Sequence, residues 1–318
     1  MINQEENHST NNPKVSVIMN CLNCLKYLRE AIDSVYAQTY KDWEIILWDN
    51  ASTDNSAEIA KSYDERLRYF KSEETVPLGK ARNWAIEKAR GEYIAFLDCD
   101  DIWTPDKLEK QLSFFNDPNV GLVYSDAIYF NDRGYAKRQF GKHIPPEGMV
   151  FNNLLTSYNM TLSTAVIRAE SLNGLDHWFD EKLKVIEEAD LFIRIAKDWL
   201  VLYAPIIGTK YRMHEKNLSI ANLSLWPKDY EWLVEKYIKI FPESKELFEK
   251  NYKREITIYY AKIEWMKNNN SIARMKIKKE ITKNRRCIML YIAMFFPYKL
   301  FVLLRKIFSN RAFIHYSL

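Results

Sequence analysis

Asp98-Cys99-Asp100-Asp101 places three carboxylates directly after the apolar run Tyr93 to Leu97, at the carboxyl end of what reads as a buried strand. Carboxylate oxygens are hard ligands suited to Mg²⁺ or Mn²⁺. Such ions usually complete their shell with substrate phosphates rather than an all-protein cage. The cluster therefore predicts a metal site serving a diphosphate compound. A turn followed by a helix start explains the same residues without a metal, because Asp favours loops and Trp103-Thr104-Pro105-Asp106 opens like a helix. What the rest of the chain brings to the same place decides between the two.

The elements that would carry this cluster alternate. Val15 to Asn20 is a continuous apolar and β-branched run, as a strand covered on both faces requires. Leu25 to Gln38 then repeats Leu25, Leu28, Ile32 and Val35 at helical spacing, Trp43 to Trp48 is again apolar, and Asp54 to Ser62 reads as a short helix. Leu67 to Phe70, Lys80 to Ala89 and Tyr93 to Leu97 continue as strand, helix and strand, with Gly91 as a helix stop. This alternation predicts an α/β fold with a parallel sheet, right-handed crossovers and helices on both faces. Ligands of such sheets bind beyond the carboxyl ends of the strands. Three of those ends carry polar groups, namely Asn20, Asp49 and Asp98 to Asp101, and their joint occurrence favours a nucleotide site.

Past residue 105 the pattern changes. Lys107 to Phe115 reads as a helix and Gly121 to Ser125 as a fifth strand. Ile128 to Glu147 reads as a hairpin or loop insertion, Met160 to Arg168 as a weak strand and Glu187 to Asp198 as an amphipathic helix. Val201 to Tyr203 and Tyr211 to Met213 are short strand candidates. From Trp226 onward only helical spacing is visible. The expected organisation is a disordered tail over residues 1–13, a catalytic domain over 14–225 and a basic helical region over 226–318.

Composition narrows the classes. With 47% hydrophobic and 28% charged residues the 318-residue chain is globular, and its length suits one large domain with an appendage. Met1 to Asn12 lacks the basic and apolar stretches of a signal peptide, which points to the cytoplasm. Cys21, Cys24, Cys99 and Cys287 are too few and scattered for a disulfide framework. Cys21-Leu22-Asn23-Cys24 has redox-motif spacing, but no second pair at zinc-ribbon spacing exists, so reduced thiols without a redox or zinc role are expected. The net charge of +4 is uneven. Residues 271–318 hold eleven Lys or Arg against Glu280 alone, leaving 35 basic against 41 acidic residues elsewhere.

These blocks resemble family 2 glycosyltransferases, which have the GT-A fold and transfer a sugar from a nucleotide donor with inversion. The matching segments are VSVIMNCLN (15 to 23), AIDSVYAQTYKDWEIILWDNASTDNS (31 to 56), GKARNWAIEKARGEYIAFLDCDDIWTPDKLEKQ (79 to 111), EEADLFIRIA (187 to 196) and YRMHEKNLS (211 to 219). The resemblance implies a Rossmann-like, mostly parallel central sheet flanked by helices, and a nucleotide-sugar donor with UDP as the nucleotide. It makes Asn20, Leu22 and Asp49 the base cradle. Asp49 can accept from a uracil N–H and Asn20 can donate or accept, while Leu22 stands where the family often has Tyr. It puts Arg82 on the donor's base or diphosphate, with Lys80 a weaker candidate, Asp98 toward the ribose or sugar, Asp100 on Mn²⁺ or Mg²⁺, and Asp101 in the loop scaffold. His214 would ligate the same metal or bind the diphosphate, with Arg212 beside it on the donor.

The family's catalytic base lies in a carboxylate motif at a helix start, here Glu187-Glu188-Ala189-Asp190. The resemblance carries the role to Glu188, with Glu187 and Asp190 as fallbacks. The family usually has Asp there, and Glu moves the carboxylate by about 1 Å, enough to matter for proton transfer.

The tail suggests its own partner. Cys287 to Phe296 and Leu300 to Leu304 are apolar but interrupted by Pro297-Tyr298-Lys299, and neither reaches the roughly 20 residues that span a bilayer. With the flanking Lys and Arg, this composition suits a segment lying in the interface of an anionic leaflet and a lipid-linked acceptor. The expectation is a peripheral protein on the inner face of the cytoplasmic membrane that binds no nucleic acid. A helix pair packed on the body or in a homodimer is the other reading of this tail. Two other functions stay open: a sugar-nucleotide nucleotidyltransferase, which lacks its Gly-rich loop here, and a non-catalytic membrane-docked nucleotide-sugar binding protein, which the acids at the strand ends disfavour.

Overall fold

The computed structural model describes residues 12–283 and 285–308. Most of the expected N-terminal tail, residues 1–11, and the end of the basic region, 309–318, lie outside the described residues. The strands are β1 (Val15–Cys21), β2 (Trp43–Asp49), β3 (Leu67–Lys71), β4 (Tyr93–Phe96), β5 (Ile102–Trp103), β6 (Val120–Phe130), β7 (Ala136–Arg138), β8 (Val166–Arg168) and β9 (Leu200–Arg212). The α-helices begin with α1 (Leu28–Tyr36), α2 (Ser56–Ala60), α3 (Leu78–Ile86), α4 (Lys107–Leu112), α5 (Phe151–Thr156) and α6 (Glu187–Asp198). They continue with α7 (Leu218–Ala221), α8 (Leu225–Ile240), α9 (Lys245–Met266), α10 (Asn270–Ile277), α11 (Arg285–Ala293) and α12 (Tyr298–Phe308).

Alternate residues of the first strands supply two different cores, as a pleated strand covered on both faces demands. Ile18, Ile46 and Phe96 face a core that includes Ala85 of α3 and Phe192 of α6, whereas Val17, Ile45 and Ala95 face one built with Leu28 and Ile32 of α1. The order of the nine-stranded sheet is β3-β2-β1-β4-β8-β6-β9-β5, with β7 paired to β6. The β3-β2-β1-β4 half is parallel, as the alternation predicts.

Beyond it the sheet departs from the expectation. β8 enters antiparallel between β4 and β6, while β6 and β9 pair parallel. The two short strands expected at 201–203 and 211–213 are one long β9. Pro205 has no N–H to give a ladder, and the register jumps there from Ser125↔Ala204 to Asp126↔Ile207, so the strand passes the proline as a bulge. β5 pairs antiparallel with β9, stitching the segment after the acidic cluster to that strand.

Gly91 also does other work than stopping a helix. α3 ends at Ile86, and a Cβ on Gly91 would stand 2.5 Å from the Ser16 backbone nitrogen. The glycine lets the chain enter β4 alongside β1. The core does not divide at residue 225: Leu233 and Tyr237 of α8 and Phe248 and Tyr252 of α9 belong to the same cluster as α6. A separate small core starts at Ile258 and joins α9, α10 and α11 through Trp265, Ile277 and Leu290.

Candidate active site

The acidic turn is locked by its own backbone, by Ser163 and by Arg212 at the end of β9. The Asp101 N–H donates to the Asp98 carbonyl at 3.0 Å. The Asp101 side chain is fully buried, accepting from Ser163 Oγ at 2.6 Å and from the Arg212 N–H at 3.0 Å. Ser163 Oγ accepts in turn from the Asp98 N–H at 3.1 Å. Burial, with Asp100 and Asp98 beside it, pushes the Asp101 carboxyl well above the usual range. Asp101 is therefore the scaffold of the turn, and Asp98 and Asp100 are left with partly open carboxylates, 35% and 28% exposed.

Because β5 binds the turn to β9, the segment after β9 comes to rest on Asp100. His214 Nε2 lies 2.9 Å from Asp100 Oδ2, and Asn217 Nδ2 donates to the same oxygen at 3.2 Å. The imidazole is stacked on Tyr27 with ring centroids 5.1 Å apart. Arg212 is not an open phosphate contact. Its guanidinium donates to the Asp100 carbonyl at 3.0 Å, pairs with Glu30 and Asp132, and lies over Tyr27 and Phe130. It fastens the turn to α1.

Arg82 is likewise a strut rather than a free ligand for the donor. From α3 it pairs with Glu187 at the start of α6 and with Asp98 Oδ1 at 3.1 Å, and its side chain is only 6% exposed. These partners hold its guanidinium firmly charged against the cost of burial. Burial raises the Asp98 carboxyl, opposed by Arg82 and reinforced by Asp100. Lys80, on the same helix, lies over the Trp84 ring.

The three acids of α6 separate cleanly. Glu187 belongs to Arg82. Asp190 is fully buried, held by Arg194 at 2.8 Å and Lys236 at 2.7 Å. Glu188 is half-buried, and removal from water together with the Glu187 charge pushes its carboxyl up to about 8, against the pull of Arg82. A carboxyl that titrates near neutrality is what a general base requires. The loop entering α6 is fixed from α8, where Asp229 Oδ2 accepts the N–H groups of Lys184 and Val185 at 2.7 and 2.8 Å.

At the other end of the site, Asn20 presents a buried Nδ2 with no hydrogen-bond partner, and Leu22 is 44% exposed. Asp49 is fully buried, with Ser52 N–H donating to Oδ1 at 2.7 Å and Tyr69 OH to Oδ2 at 2.6 Å. It organises the Asp49-to-Ser52 turn and offers no open face to a base. Asn23 adds to that loop: at φ 55° its Oδ1 accepts the N–H groups of Thr53 and Asp54. The sequence reading passed over Asn23, Tyr27, Ser163 and Asn217. Asn217 lies inside the block that contains His214, so its position was in view though its contact was not.

The Asp100–His214 pair fits a divalent cation: a carboxylate oxygen and an imidazole nitrogen converge, both partly open, and this donor set suits Mn²⁺. His177, Asp180 and Asp190 also converge, but Lys236 and Arg194 already supply the positive charge there.

Residues 16–175 match glycosyl transferase family 2. The chain belongs to this family. It is 31% identical over 208 residues, 64% of its own length and 79% of the relative's, to the Escherichia coli UDP-Glc:alpha-D-GlcNAc-diphosphoundecaprenol beta-1,3-glucosyltransferase. It is 34% identical over 161 residues, 50% of its length and 63% of the relative's, to a Bacillus subtilis glycosyltransferase named for teichuronic acid biosynthesis. Among solved structures, S. aureus TarS 1-349 in complex with UDP-GlcNAc superposes with a TM-score of 0.56 at 18% identity, covering 88% of this chain and 90% of that one. The Pyrobaculum calidifontis mannosyltransferase PcManGT in complex with GDP-Man and Mn²⁺ gives 0.58 at 17% identity, covering 95% and 85%. The expected GT-A-like glycosyltransferase fold is thus the observed one, with a helical C-terminal region attached. Among the described residues, no helix of this family 2 glycosyltransferase is long and apolar enough to cross a membrane.

Proposed function

We propose that this enzyme is an inverting, divalent-metal-dependent glycosyltransferase that moves a sugar from a UDP-sugar to a hydroxyl of a glycan or lipid-linked glycan in surface polysaccharide synthesis. The observation that carries the reading is the Arg82 bridge. By gripping Asp98 and Glu187 at once, it unites the acidic turn after β4 and the carboxylates of α6 in one site, although Arg82 and Glu187 are 105 residues apart. The UDP-GlcNAc complex of TarS and the name of the E. coli relative support the donor class, and that relative and the teichuronic acid protein support a cell-surface acceptor.

The chemistry follows from the two ends of the site. Glu188 accepts the proton of the acceptor hydroxyl as its oxygen attacks the anomeric carbon, and the bond from that carbon to the donor phosphate breaks with inversion. Asp98, held by Arg82, faces the donor sugar. Asn20 meets the base through its unpartnered Nδ2. Asp100 and His214 would hold Mn²⁺ or Mg²⁺, which when bound neutralises the charge of the departing diphosphate. Asn217 and Tyr27 keep the two ligands facing each other.

The helical C-terminal region supports a lipid-linked acceptor. α11 buries Cys287 and Leu290 against α9 and α10, yet Ile288, Met289 and Ile292, with Phe295 and Phe296 just beyond, are exposed. Exposed Lys276, Lys278, Lys279 and Lys299 flank this apolar face, a combination that docks in the interface of an anionic bilayer. The function is tested by screening the purified protein against a panel of nucleotide-sugars for metal-dependent release of nucleoside diphosphate. Release from UDP-sugars that chelation abolishes supports the reading. Release unaffected by chelation removes the metal from it, and release only from donors of another nucleotide removes UDP.

A further inference from the structure

Cys21 closes β1, Cys24 stands three residues on in the loop before α1, and Cys99 lies between Asp98 and Asp100. The sequence offers no second cysteine pair to complete a metal site, but the fold provides a third sulfur from the acidic turn. The three Sγ atoms all lie within 4.8 Å of one another, and none is in a disulfide. Cys21 and Cys99 are buried and Cys24 is half-buried.

The geometry points to a binding site for one thiophilic d¹⁰ cation of the Zn²⁺ type, held by the thiolates of Cys21, Cys24 and Cys99 with water in the fourth position. Zinc–sulfur bonds of about 2.3 Å in a tetrahedron set the sulfurs about 3.8 Å apart, so these sulfurs need close by no more than about an ångström. Polar groups stand near two of the sulfurs. The Leu22 N–H donates to Cys24 Sγ at 3.3 Å, and Ser52 Oγ lies 3.7 Å from Cys21 Sγ. Cys99 gives up its hydrogen bond to the Asn20 carbonyl, 3.0 Å long at present, and the three thiols release their protons to water as the sulfur–metal bonds form.

Ligand type separates this site from the proposed Asp100–His214 site a few residues away. Soft thiolates select Zn²⁺ or Cu⁺, and the carboxylate–imidazole pair suits Mn²⁺. Occupancy ties the end of β1, which carries Asn20, and the loop after it, which carries Leu22, to the turn that carries Asp98 and Asp100. The bound ion therefore acts as a clamp between the base end and the phosphate end of the donor site.

The test uses the full chain, reduced and stripped with chelator, titrated with Zn²⁺ in competition with a chromogenic chelator and with Cd²⁺ followed by thiolate charge-transfer absorption. The expected result is one equivalent bound, a raised Tm, and affinity lowered about 100-fold or more in Cys24→Ser and Cys99→Ser, with Cys287→Ser unchanged. Asp100→Asn keeps the thiolate absorption, which separates this site from the proposed catalytic metal. If a buried serine impairs folding, half-buried Cys24→Ser alone decides, because circular dichroism shows whether it is native. Absence of the thiolate band overturns the inference. So does equal Zn²⁺ binding by the triple serine variant, or an intramolecular disulfide that persists in reductant and excludes the metal.

Discussion

Glu188, the proposed base, is where the proposed chemistry is most exposed to test. Its carboxyl titrates near 8, so the fraction available as base grows through neutrality, and kcat/KM of the free enzyme is expected to rise with an apparent pKa near 8. A profile flat from pH 6 to 9 removes Glu188 from the role. The same shift has a stability consequence. Between the ordinary carboxyl value of 4.5 and about 8 the folded protein holds a proton that the unfolded chain has released, so stability declines as pH rises through that window. Glu188→Gln is therefore expected to lose about 10²–10⁴-fold in kcat while unfolding later than wild type at pH 8 and above. Equal or lower stability of the variant there contradicts the burial of a reluctant charge. His214→Ala is expected to raise the metal concentration for half-maximal activity about 10–100-fold, measured by Mn²⁺ titration at saturating donor. At this scale the sequence displays the residue types and hides the partners that already hold them. Asp49, Arg82 and Arg212 stand in the family's blocks, yet Ser52 and Tyr69, Glu187, and Glu30 and Asp132 already occupy them.

Elements bring these residues together, and two contacts between elements carry most of the work. Arg82 joins α3 to α6 and to the acidic turn. Replacing it with Met leaves Glu187 buried without a counter-charge and is expected to cost about 3–5 kcal/mol, measured by urea unfolding. A loss below 1 kcal/mol refutes the strut. Gly91→Ala forces a Cβ against the Ser16 nitrogen at 2.5 Å, and the β1–β4 pairing is expected to weaken by about 1–3 kcal/mol. The βα half of the fold was legible because a strand buried on both faces is a continuous apolar run, and β1 and β2 each expose no residue fully. β9 was not, because Pro205 looks like an end and becomes a bulge only when β6 supplies a partner. β8, three residues long, carries too little pattern to declare its antiparallel direction. The Arg82–Glu187 contact spans 105 residues, a distance at which no local period reports.

As a whole molecule the chain is an acidic body with a basic end, and it carries an exposed apolar face on α11. The charge asymmetry was plain in the sequence, whereas which side of α11 faces outward required the packing of Cys287 and Leu290 on Trp265 and Ile277. Flotation with anionic vesicles is expected to recover the full chain, and Phe295→Asp combined with Phe296→Asp is expected to abolish recovery while leaving nucleotide-sugar turnover unchanged. Equal flotation with zwitterionic vesicles, or of the double variant, contradicts docking through this face. The central claim is that one site, spanning the acidic turn and α6, activates a nucleotide-sugar. Its most direct test is Mn²⁺-dependent release of UDP from a UDP-sugar by wild type, Asp100→Ala and Glu188→Gln, with UDP binding measured in parallel. Release by wild type, loss in both variants and retained UDP binding by Glu188→Gln is the predicted outcome; turnover in either folded variant at the wild-type rate contradicts it.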